Sequence, residues 1–213
     1  MNNLYIYFYK NYLVYYMRET ILIIIFLSIM CLFIIIHRNE VSFEETYSGE
    51  EYIVRNLDDK KEAAEKIDEM KRRLKKLIYY IDDLCKKDSS NKKLKFIQEY
   101  NNNILIKFDN IIFRENTENS KFTSYSINKG EEIVFCLRSR VDGKLHDINE
   151  LMYVAIHELA HVGCPEIGHT PLFKNINIEL LKHGVNCNVY MYKDYNMNPE
   201  EYCGIELNNN ILN

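Results

Sequence analysis

The chain has no tryptophan, three prolines and seven glycines in 213 residues, against seventeen tyrosines and an abundance of isoleucine, asparagine and lysine. No physical demand of a fold favours Lys over Arg and Ile over Val so broadly, so we take the skew as the codon bias of an AT-rich genome; it is silent about activity. No two cysteines form a C-x-x-C pair, which argues against a second zinc site: Cys31, Cys85, Cys136, Cys164, Cys187 and Cys203 are scattered. Cys31 lies in an apolar run, and the five others are an odd number, which disfavours a fully paired disulfide framework but leaves room for one or two bridges. Excess positive charge is missing too. With a net charge of −4 the chain cannot hold nucleic acid mainly by bulk charge, and it carries no strong nucleic-acid signal. At 47% hydrophobic and 27% charged residues, it has material for a core and length for roughly one ordinary domain plus an appendage.

Polar groups are nearly absent from Ile21 to Ile36, where only Ser28 and Cys31 interrupt ILIIIFLSIMCLFIII. As a helix this run covers roughly 24 Å, short of a hydrocarbon core of roughly 30 Å, so Thr20, Met17, Tyr16 and Tyr15 must extend it. A cleaved signal would have a shorter apolar region and a small-x-small site, whereas His37, Arg38, Asn39 and Glu40 follow here. We expect residues 1–19 as an N-terminal flank, 20–37 as a single transmembrane helix in a lipid bilayer, and the tyrosine-rich start as an interfacial segment. Lys10 and Arg18 against Arg38 and Arg55 barely tip the N-terminus towards the cytosol.

Residues 38–56 are polar and acidic and are expected as a linker. Beyond them Ala63, Ile67, Met70, Leu74, Leu77, Ile81 and Leu84 recur at alternating steps of four and three, predicting one apolar helical stripe. It either packs into a domain core or joins two copies as a homodimer through 63–84; three heptads are marginal for a coiled coil, which favours packing. Strands are predicted at Ile104–Phe108, Ile111–Phe113, Phe122–Ile127 and Glu131–Arg138, with Asn128, Lys129 and Gly130 as the turn of a hairpin from Ser126 to Arg138. Next, Asp147 followed by Glu150 opens a helix in which Ile148, Leu151, Met152, Ala155, Leu159 and Val162 form the core face.

That helix carries HELAH. Residues four apart stand one turn above each other, so His157 and His161 can bring two imidazoles to one ion, and Glu158 sits beside the ion. There a carboxylate can take a proton from a water activated by the metal and pass it to a leaving amine. The metzincin spacing requires Gly at 164 and His at 167, where Cys164 and Ile167 stand, so a third ligand must be sought elsewhere. Glu179 on a following helix is one choice. His169 is better placed, because Gly168 frees the backbone beside it and Thr170 and Pro171 open a helix with Leu172, Phe173, Ile176 and Leu180 as its apolar stripe and Gly184 as its end.

HELAH followed by GHTPLF resembles the SprT-like and WLM group of zinc metallopeptidases. Residue by residue, the resemblance implies one Zn2+ per chain on His157, His161 and His169, with Glu158 as general acid/base. It implies an α+β, zincin-like domain over 57–213, with its core motifs in 126–184: a helix, an antiparallel-rich sheet, the active-site helix and a following helix. The tail YKDYNMNPEEYCGIEL and the anchor are similar to a membrane-anchored branch in large DNA viruses, implying a single-pass protein of a virion or host-cell membrane.

The expected activity is hydrolysis of a protein or peptide substrate. The soluble enzymes of this group act on proteins trapped on DNA, but the flanking DNA-binding segments are absent, so only the peptidase chemistry is carried over. If Ile133–Leu137 is the sheet edge over the cleft, an extended substrate can pair with it. No residue stands out as an oxyanion donor: Tyr192, Tyr195 and Tyr202 are weak candidates, each better read as structural, and His146 and His183 are expected as ordinary surface or capping residues. The rival reading is an inactive zincin-like scaffold tethered to a membrane; the intact Glu158 counts against it.

Overall fold

A computed structural model describes residues 2–208 and Leu212, and among them the side chains of 14–35, 40–208 and Leu212. No glycine precedes Gly49 and no proline precedes Pro165, so nothing interrupts the first helix, α1 (Asn2–Glu40). Within it Val14–Ile35, 22 residues of mean hydropathy 2.4 with none buried, is long and apolar enough to cross a membrane, at about 33 Å. The run's hydroxyls are satisfied inside the helix: Thr20 Oγ1 donates to the carbonyls of Tyr16 and Met17, and Ser28 Oγ to that of Ile24. The interfacial reading of the tyrosine-rich start lies, up to Leu13, outside the described side chains.

The chain divides after Val41 into two compact units, of which α1 is the first. The expected linker is structured. β1 (Val41–Glu45) and β2 (Glu51–Arg55) are neighbours in a sheet, with Thr46 N donating to Glu50 O across the turn and Tyr52 and Val54 buried. Acidic residues on exposed strand positions hid the two buried ones.

Helix α2 (Lys60–Lys87) buries Ala63, Ile67, Met70, Leu74, Leu77 and Ile81, and beyond them Cys85, while Leu84 is only half-buried. The stripe lies in the domain's own core, the packing alternative of the two that the sequence offers. Helix α3 (Lys92–Phe108) starts at Asn91, whose side chain accepts from Lys93 N and Leu94 N. The strand expected at Ile104–Phe108 is its last turns. Ile97, Tyr100, Asn101, Ile104 and Phe108 are buried at helical spacing, and Asn101 Nδ2 donates to Ile78 O of α2, so packing on α2 overrode the β-branched composition.

The sheet continues with β3 (Ile112–Glu115), β4 (Tyr125–Ile127) and β5 (Glu132–Phe135) in the order β1-β2-β3-β5-β4. It is mixed, and the expected antiparallel-rich sheet is corrected: β2 with β3 and β3 with β5 are parallel, and β4 with β5 is antiparallel. The crossover through α2 and α3 brings β3 beside β2 in the same direction, as parallel pairing requires. The hairpin over 128–130 is present. It makes β4 the edge and β5 an inner strand with Ile133, Val134 and Phe135 buried, so Ile133–Leu137 is not the sheet edge.

Two further helices, α4 (Ile148–Gly163) and α5 (Pro171–Asn186), pack on each other and on α2 and α3. Asp147 caps α4 by accepting from Asn149 N, and Thr170 caps α5 by accepting from Phe173 N. Gly184 does not end α5; it lies inside the helix, where Ile156 of α4 approaches so closely that an added Cβ would meet Ile156 Cδ1 at 3.0 Å. The tail forms a small hairpin, β6 (Glu200–Tyr202) and β7 (Ile205–Leu207), bound to the end of β5 by a Cys136–Cys203 disulfide.

Candidate metal centre

Because α4 buries Leu151, Ala155, Leu159 and Val162, the turns bearing His157 and His161 face a cleft of about 840 Å3. His169 enters from the loop between α4 and α5, where Gly168 has φ +83°, a left-handed conformation suited to glycine. The Nε2 atoms of His157 and His169 are 3.0 Å apart, and those of His161 and His169 3.3 Å. A proton can bridge one such pair, whereas one cation satisfies all three lone pairs. Nitrogens bound tetrahedrally to zinc at 2.0–2.1 Å stand about 3.3 Å from each other, so the triad fits that ion.

The surroundings keep the imidazoles ready as ligands. Burial and then the neighbouring rings push His157 down to about 3, and burial followed by His169 and Lys129 pushes His161 down to about 4, so both lone pairs are free at neutral pH. Phe173 of α5, fully buried, stacks on His161 at 4.0 Å between ring centroids and meets His157 and His169 edge-on. Glu179 is outside this cluster and pairs with Lys182.

Glu158 is 4% exposed, and its carboxylate accepts from the backbone of Ser126 on the edge strand β4. Burial pushes it up to about 8, poised to hold a proton. The cleft is also walled by Ser124, Tyr125 and Ser126 and by Tyr202, Ile205 and Leu207 of the tail.

Of the tyrosines singled out in the sequence, Tyr202 reaches this wall and Tyr192 and Tyr195 do not. Its hydroxyl donates to Cys136 O and shares a hydrogen bond with Ser124 Oγ, so it pins the tail to the sheet. Tyr153 was missed, although it lies one helical turn before His157 and lines the cleft; burial pushes its phenol up to about 12. His146 is not a surface residue. It is buried under the tail, accepting from Cys203 N, with Nδ1 3.4 Å from Glu150. His183 is buried in the last turn of α5 against Tyr80.

Against known sequences, the chain is 39% identical over 176 residues to "Uncharacterized protein R325" of Acanthamoeba polyphaga mimivirus, covering 82% of this chain and 86% of that protein. The chain belongs to the R325 family. Shorter stretches of 69 and 78 residues, each 41% identical, match "Uncharacterized protein 136R" of Invertebrate iridescent virus 6 and "Uncharacterized protein 042R" of Invertebrate iridescent virus 3; they span 38% and 45% of those proteins. No family model matches the chain. Among solved structures, two of Wss1 from Saccharomyces cerevisiae, one a mutant, are 21% identical with a TM-score of 0.34, covering 47% of this chain and 85% and 84% of theirs.

Proposed function

We propose that the chain is a membrane-anchored zinc metallopeptidase of the SprT-like and WLM kind, with His157, His161 and His169 holding one zinc ion and Glu158 as general acid/base. The convergence of the three Nε2 atoms beside a buried carboxylate carries this reading. When bound, zinc would supply a Lewis acid that polarises a peptide carbonyl and acidifies water.

The chain's own residues have separate tasks. Phe173 holds the three rings in register by packing against each of them. Glu158, anchored by Ser126, takes a proton on the cleft side and returns it to the departing amine. An extended peptide laid along the edge strand β4 would place its backbone beside that carboxylate, with its side chains between Tyr125, Ile205 and Leu207. A structural zinc site has no use for a base in this position, which favours an enzyme over an inactive scaffold. The membrane anchor in this proposal is Val14–Ile35, whose side chains are all outside any core.

The test is zinc stoichiometry of the full chain in detergent, with protein cleavage measured before and after chelation. One zinc per chain and chelator-sensitive cleavage are expected; a chain that binds no zinc would sink the proposal, and one that binds zinc but cleaves nothing would leave only a metal-binding scaffold.

A further inference from the structure

His157 and His161 are fixed by a helix, but His169 is delivered by an irregular loop over 165–169 whose Ile167 is 88% exposed and whose Pro165 and Glu166 are exposed as well. Something outside the loop must hold it in place. Lys129 does this in the structure: its Nζ donates to the carbonyl of Cys164, 2.7 Å away, and to that of Glu166. Both acceptors lie past the last turn of α4, and among the described residues no carboxylate competes for this ammonium.

The support is itself rigid. Lys129 occupies a left-handed position, φ 55°, in the β4–β5 turn, and its carbonyl accepts from Lys107 Nζ of α3 at 2.9 Å. The adjacent Gly130 sits against α4, where an added Cβ would come within 2.8 Å of Val162 Cγ1. A brace therefore runs from α3 through the turn to the loop that carries His169, and the strand entering that turn, β4, walls the cleft.

We propose that Lys129 is a positioning residue for His169: by clamping the Cys164 and Glu166 carbonyls it holds the third imidazole at the distance that closes the triad. This rests on the metal-centre reading above. A lysine with three donors on a short turn suits two divergent carbonyls, and an apolar side chain of equal length removes both of these bonds. Groups that orient metal ligands are worth about ten- to a hundredfold in affinity.

The experiment is a double-mutant cycle on the full chain in detergent, reading zinc affinity by chelator competition for wild type, Lys129→Met, His169→Ala and the double variant, with apo melting followed in parallel. Lys129→Met is expected to weaken zinc about tenfold, Lys129→Arg to recover most of the loss, and Lys129→Met to add nothing once His169 is gone. Should methionine prevent folding, Lys129→Gln is read in the same cycle with the same two outcomes. Unchanged affinity, or equal losses with and without His169, would overturn this role while leaving the metal centre standing. A wild-type chain that binds no zinc would overturn both.

Discussion

The Nε2 atoms of His157 and His169 stand 3.0 Å apart, although one residue belongs to a helix and the other to the loop that follows it. Glu179 takes no part in that meeting and is ion-paired with Lys182 on α5. His169→Ala should therefore weaken zinc by at least about tenfold while Glu179→Ala leaves it unchanged. Chelator competition reads both, and the reverse pattern would move the third ligand to α5.

Glu158→Gln keeps the size of the side chain and removes its ability to carry a proton between water and amine. Cleavage should fall by about a hundredfold or more with zinc stoichiometry intact. Equal activity in the two proteins would show that another group is the base.

The Cys136–Cys203 bridge closes a loop 67 residues apart in sequence and ties the tail hairpin to the cleft wall. Chain-entropy reasoning puts its contribution at about 4 kcal/mol. Reduction should lower the denaturation midpoint of wild type and leave Cys203→Ser unmoved. A wild-type midpoint indifferent to reductant would mean the bridge does not form.

Arg138 is buried, donating to Glu115 Oε1 at 2.8 Å and to Asp59. Burial already raises the Glu115 carboxyl, opposed by the Arg55 backbone and by Arg138. Arg138→Met leaves a buried carboxylate without its cation and should cost about 3 kcal/mol near neutral pH. A carboxyl whose folded pKa is raised binds protons more readily folded than unfolded, so stability rises as pH falls through that pKa. The deficit of the variant should accordingly shrink in mild acid. Denaturation at several pH values checks this, and a deficit growing towards acid would refute it.

The sequence by itself determined what depends on near neighbours along the chain. The 3.6-residue period of α2 and α4, the Asp147 and Thr170 caps, the turn at 128–130, the apolar stretch in α1 and the one-turn spacing of His157 and His161 are all local, each set by a few residues and the geometry of one element. Tertiary structure alone decided the rest. Ile104–Phe108 became helix because α2 offered a partner face. β5 lost the edge to β4 because strand order depends on where a distant crossover returns the chain, and periodicity carries no record of that. The pairing of Cys136 with Cys203, the packing of Phe173 on three imidazoles and the reach of Lys129 to the His169 loop each join residues from different elements, whose proximity exists only after the core has packed.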